Sequence, residues 1–222
     1  DCNIEKSKEI LMSALHNDAS TTVGRYGNRT YNYFSSQYNT YSGGYVPRGQ
    51  YIGDMEFQRC RPTEYTYAVF DNVNDSRMWK TFKTVYGICN NVATPDYVKA
   101  ENAPTFGDQG VLFLLNKKDD TRFRKDEFGR AAIKHTFVNP ETGKWVPNVA
   151  PVYAEGQYVM NTYGTSAANR SNMFCGINKT ADGSRTGEKG DAHRDVTMAR
   201  VGETYLVKAE CQVRNSDDAG AL

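Results

Sequence analysis

The stretch from Thr21 to Gly53 limits this chain more than any other feature, because it is crowded with Gly, Asn, Ser and Tyr and shows no apolar period. Residues of this kind punctuate loops rather than build helices or strands. The chain must therefore carry a long irregular segment on whatever scaffold the rest supplies. That scaffold has few candidates. Glu9-Ile10-Leu11-Met12-Ser13-Ala14-Leu15 reads as a strand or a buried helical turn, and Val111-Leu112-Phe113-Leu114-Leu115 as a fully apolar strand. Ala131–Phe137 is a weaker second strand. Pro62–Phe70 reads as a short helix, with Pro in its first turn where a missing N–H costs nothing. Asn139-Pro140-Glu141-Thr142-Gly143 is a turn, within a loop-like region running from Asn139 to Gly190.

The clearest helix comes last. Asp195 is its predicted cap, and Met198, Val201, Tyr205, Ala209 and Val213 recur at helical spacing. Asn215 is a stop, and Ser216-Asp217-Asp218 opens a further helix. A helical hairpin of this kind cannot bury its own apolar stripe, so partner repeats are expected elsewhere and the chain reads as a fragment of a longer one.

A chain of 222 residues with formal net charge +1 carries no basic block or acidic tail, which argues against nucleic acid as partner. No apolar run approaches the roughly 18 residues of a membrane-spanning helix. The five cysteines are an odd number, ruling out complete intramolecular pairing, and none shows C-x-x-C spacing. They read as small buried hydrophobes with inert thiols. His16, His135 and His193 show no metal spacing, and nothing points to a cofactor. Lys117-Lys118-Asp119-Asp120 reads as solvated surface, while Arg59 with Asp71 and Asp75 with Arg77 are expected ion pairs.

Three stretches together resemble the SusD/RagB family of outer-membrane nutrient-binding lipoproteins. The first is Phe57-Gln58-Arg59-Cys60-Arg61-Pro62-Thr63-Glu64-Tyr65, with Phe70-Asp71, Asp75-Ser76-Arg77 and Phe82–Tyr86 after it. The second is Met173–Asp182, with Cys175 or Gly176 where the family has Pro. The third is Arg194-Asp195-Val196 with Arg200–Glu210, where Gly202 and Cys211 replace the usual Ala. The resemblance implies a mainly α full-length protein on a tetratricopeptide-like helical-repeat scaffold, this fragment being loop-rich, mixed α, with a few short strands. It implies the C-terminal region of such a protein over 1–222, with a ligand-site region over 1–190 and the start of the last repeat over 191–222. It further implies a non-catalytic surface protein that hands a glycan to a TonB-dependent outer-membrane transporter. Its membrane contact would run only through an N-terminal lipid anchor outside the fragment, and Cys2 is not that anchor.

The ligand is expected at the aromatic loop. Tyr26, Tyr31, Tyr33, Tyr38, Tyr41 and Tyr45 offer rigid, amphipathic rings that can stack on a sugar face at small entropic cost. Asn39 can bond sugar hydroxyls. Tyr38 and Tyr41 are the first choices, and Trp145, set in a polar loop, is a further platform; Trp79 is expected to be buried. Peptide capture by the same architecture is the alternative, with a glycoside hydrolase or a helical-repeat adaptor as readings from other classes. Hydrolysis would need two carboxylates placed across a bond, and no pair stands out.

Overall fold

The computed structural model describes residues 7–16, 28–48, 56–71, 73–125, 131–132, 137–160, 173–183, 192 and 194–221. In chain order its elements are strand β1 (Ile10–Ala14), helices α1 (Thr30–Tyr33), α2 (Tyr38–Tyr41), α3 (Glu64–Ala68) and α4 (Arg77–Thr81), and strands β2 (Phe82–Lys83) and β3 (Val85–Gly87). A 3-10 turn at Ala100–Asn102 precedes β4 (Gln109–Leu114), β5 (Arg124–Lys125), β6 (Ala131–Ala132), β7 (Asn148–Pro151), β8 (Tyr153–Ala154), β9 (Gln157–Tyr158) and β10 (Gly176–Ile177). Strand β11 (Val196–Arg200) leads into helices α5 (Val201–Arg214) and α6 (Asp218–Ala221).

The expected mainly helical class is wrong. Among the described residues the protein is mixed, with 24% helical and 22% strand residues spread over several sheets. The reason lies in how the apolar residues are distributed. The apolar run on β4 has strand length and is apolar on both faces, so it becomes the middle of a sheet rather than one side of a helix. Strand β3 pairs antiparallel on one side of it, matching Val85 to Leu112 and Tyr86 to Val111. Strand β7 pairs parallel on the other side, from Val111 opposite Asn148 to Leu114 opposite Pro151. Pro151 has no N–H to give a ladder and sits at the end of an outer strand, where that loss is tolerated.

The chain divides into two compact units. The larger covers 30–181 and 187–190. Around its three-stranded sheet lies an aromatic core of Tyr38, Tyr67, Phe82, Tyr86, Phe113, Trp145, Tyr153 and Phe174, all buried. Tyr38 stacks on Tyr86 with ring centroids 4.5 Å apart, and Tyr86 meets Phe113 edge-on at 6.2 Å. Such pairs contribute about 0.5–1.5 kcal/mol beyond their buried area. Helix α3 forms within the expected span but is shorter, with Pro62 ahead of the cap rather than in the first turn; the Thr63 side chain caps it, accepting from the Thr66 N–H. Helix α4 corrects a second expectation: Met78 and Thr81 face inward, which turns Trp79 outward and leaves it 60% exposed.

The smaller unit covers 1–29, 182–186 and 191–222. Strands β1 and β11 pair antiparallel, with register shifts along β1. Asp195 does not cap a helix there. Its carboxylate accepts from the His16 N–H at 2.7 Å, and β-branched Val196 and Thr197 continue as strand, so that helix α5 begins only at Val201. Strand pairing overrode the helical spacing of Met198. Asn215 closes α5 as expected, while Arg200 at the other end makes no side-chain cap. No residue of α5 is buried.

Several smaller expectations resolve the same way. Cys175 is buried, but Cys60 and Cys211 are exposed, so the thiols are not uniformly core residues. Arg77 holds Asp75 at 2.7 Å. Asp71 instead accepts from the Val73 and Asn74 backbone N–H groups and the Asn74 side-chain amide, closing a turn rather than pairing with Arg59. Asp120 is no solvated charge: Arg122 and the Asn116 amide both bond it. The Arg122 hydrogen bond is the largest reason its carboxyl falls to about 2.

Candidate functional site

The expected aromatic loop folds inward. Tyr38 is fully buried, Tyr31 is 4% exposed and Tyr45 is 7% exposed. Tyr41 is half-buried, its hydroxyl donating to the Val149 carbonyl at 2.7 Å. Asn39 is half-buried, and its Oδ1 is enclosed without a hydrogen-bond partner among the described residues. Tyr33 alone of the described tyrosines expected there is exposed, at 41%, with its ring 5.8 Å from that of Phe57. Tyr26 lies outside the described residues, as do Arg25, Tyr51, His135 and His193. Tyr38 is therefore corrected from a ligand platform to a core residue, and Tyr41 to a half-buried one packed against that core. The cause is the sheet: Tyr86 and Val149 on β3 and β7 present a ring and a carbonyl that the two tyrosines cover.

Trp145 is corrected in part. It is only 5% exposed, yet it forms a wall of a cleft of about 200 Å³. Two turns build that cleft. In the first, Asn139 Oδ1 accepts from the backbone N–H groups of Glu141 and Thr142, and Gly143 adopts φ +70°, a left-handed conformation costly for other residues. The Gly143 N–H then donates to the Asn139 carbonyl at 2.9 Å, and the Asn139 N–H to the Lys144 carbonyl at 2.8 Å. This hairpin delivers Trp145 against the 3-10 turn, where its N–H donates to the Asn102 carbonyl at 2.9 Å. Lys144 Nζ reaches the Glu101 carbonyl at 3.2 Å. In the second turn, Asp108 Oδ2 accepts from both the N–H and the hydroxyl of Thr105, at 2.7 and 2.9 Å. That turn places Asp108 and Gln109 at the entry to β4.

The indole is fixed by two rings at near-perpendicular angles, Tyr97 at 6.0 Å and Tyr45 at 6.4 Å. Burial, aided by the neighbouring Tyr97, holds the Tyr45 phenol above its ordinary value. Tyr45 thus belongs to the site as a support for Trp145, not as a contact surface. Around the indole stand a carboxylate (Asp108), two amides (Gln109 and Asn139), a hydroxyl (Thr142) and an ammonium (Lys144). This set offers both donors and acceptors within a small volume. At about 200 Å³ the cleft is smaller than the roughly 300–1,000 Å³ of drug-sized sites, so it suits one ring of a longer ligand. Reading the sequence missed Asp108, Gln109 and Thr142 as lining residues. The turn residues 139–143 beside Trp145 were the available signal, but Asp108 and Gln109 arrive only through the β4 register.

Among the described residues no cluster of three or more His, Cys, Asp or Glu side chains is placed to hold a metal ion, and no helix is long and apolar enough to cross a membrane. Comparison with known proteins finds no matching family model, no matching curated protein and no matching solved structure.

Proposed function

We propose that this protein is a non-catalytic surface protein of the SusD/RagB type, which captures a glycan for import through a TonB-dependent outer-membrane transporter. On this reading the membrane is reached through a lipid anchor and the glycan is the ligand. The observation that carries the reading is the Trp145 cleft. It sets an immobilised indole beside a mixed fringe of amide, hydroxyl, carboxylate and ammonium groups. A sugar ring presents hydroxyls that both give and take hydrogen bonds, and this fringe can answer both. Capture rather than cleavage is what the lining favours, since glycoside hydrolysis uses two facing carboxylates and Asp108 is the one acid among the described residues forming this cleft.

A glycan array followed by calorimetric titration tests the reading, with a Gln109→Ala, Lys144→Ala double variant. Each net hydrogen bond contributes about 0.5–1.5 kcal/mol, so losing two should weaken binding about 5- to 150-fold. A glycan bound equally well by the double variant, or no glycan bound at all, would overturn it. Trp145 is left intact in this test because its packing against Tyr45 and Tyr97 would confound the result.

A further inference from the structure

A second cleft, also of about 200 Å³, opens on another part of the larger unit, between the end of α3 and the segment that follows β4. Its floor is apolar: Phe70, Met78 and Leu115, with the edge of buried Tyr67. Its rim is cationic, because the charged side chains lining it among the described residues are Lys117 and Lys118. Acids lie nearby but are already committed. Glu64 holds Lys118 at 2.8 Å, and the Asp71 carboxylate accepts from Val73 and Asn74 while its charge is still felt by Lys117. Lys118 is further held over the Tyr153 ring, 5.6 Å from its centroid. Lys117 is exposed and, among the described residues, makes no ion pair. Asn116 cannot serve a ligand through its Oδ1, which already accepts from the Val152 and Tyr153 N–H groups.

An apolar floor with a cationic rim selects for one kind of guest. We propose that this cleft binds a carboxylate carried on a small apolar or aromatic group, the group resting on Phe70 and Leu115 and the carboxylate facing Lys117. The volume admits one side-chain-sized group and little more. Two sources share this chemistry, a free aromatic acid and the C-terminal residue of a peptide. The site is independent of the Trp145 cleft and stands or falls separately from glycan capture.

The test titrates the full 222-residue chain with 3-phenylpropanoate and with the tripeptide Gly-Gly-Phe, each beside its neutral carboxamide, at low salt. A hydrogen bond to a charged group contributes about 1.5–3 kcal/mol, so the free carboxylate should bind at least about tenfold more tightly than the amide. Lys117→Gln should remove most of that preference. Ala68→Trp, on the exposed face of α3 at the rim, should fill the cleft and abolish binding at an unchanged melting temperature. If that variant melts lower, Lys117→Gln decides alone, since its side chain is exposed. Binding of the acid alone, or of the peptide alone, supports the site and identifies its source. Equal binding of amide and carboxylate, no binding of either acid, or a carboxylate preference that survives Lys117→Gln would overturn the proposal.

Discussion

Replacing Tyr38 by Ala separates the two roles an aromatic residue can play in this loop. The Tyr38 side chain is fully buried and stacked on Tyr86 at 4.5 Å with the ring planes 12° apart. Tyr86 in turn leans on Phe113 at the centre of the sheet. Removing the ring leaves a cavity against rigid strands that cannot collapse into it, and a large aromatic cut to Ala in such a setting costs about 3–5 kcal/mol. For a chain of this size each kcal/mol moves the melting temperature by about 2–4 °C, so the loss should be about 6–20 °C. Tyr65→Ala is the control, because that ring is 77% exposed on α3 and such changes usually stay within about 0.5 kcal/mol. Urea unfolding followed by Trp fluorescence, with a thermal melt by circular dichroism, measures both. If Tyr38→Ala melts within about 2 °C of the parent, or no lower than Tyr65→Ala, the assignment of Tyr38 to the core is wrong.

Further substitutions test other parts of the structure. Asn116→Ala removes a side chain that bonds the Asp120 carboxylate, the Tyr153 carbonyl and two backbone N–H groups; it should lose about 2–4 kcal/mol in urea titration, at about 1 kcal/mol per bond with two N–H groups left unpaired. Gly176→Ala would place its Cβ 2.8 Å from the Phe34 carbonyl oxygen, so β10 must shift and stability should fall by about 1–3 kcal/mol; an unchanged melt would refute the close approach. Burial lowers the Lys83 ammonium to about 8, so the unfolded chain binds the extra proton between that value and 10.5. Lys83 therefore adds stability as pH climbs from 8 to 9.5, by about 1–2 kcal/mol, against an opposing loss from the Cys175 thiol, which burial holds above its ordinary 9.0. The gain is limited because Lys83 is only half-buried and lies 4.6 Å above the Tyr86 ring. Lys83→Met removes the Lys83 share alone, so the parent should gain about 1–2 kcal/mol on the variant between pH 8 and 9.5; parallel curves would contradict it. At the acid end, Asp120 contributes stability above its ordinary value of 3.8 that fades as pH falls toward about 2; Asp120→Asn should remove that fading from an acid-unfolding curve.

What the sequence determined by itself was local. The strand at Val111–Leu114, the Thr63-capped helix, the turn at 139–143 and the stop at Asn215 all rest on short-range patterns of residue size, shape and hydrogen bonding. The Asp75–Arg77 pair, two residues apart, belongs with them. Tertiary structure decided everything that depends on what lies opposite. Val196 and Thr197 became strand because β1 offered a partner, and Tyr38 became core because Tyr86 and Phe113 stand beneath it. An aromatic residue in a polar loop carries the same local signature whether its ring packs inward or faces water. The same ambiguity hid the candidate site: Trp145 was visible, but Asp108 and Gln109 reach it only through the register of β4, from more than 30 residues earlier in the chain. Burial is a property of pairs of distant segments, and a single chain read in order carries no term for it until the sheet assembles.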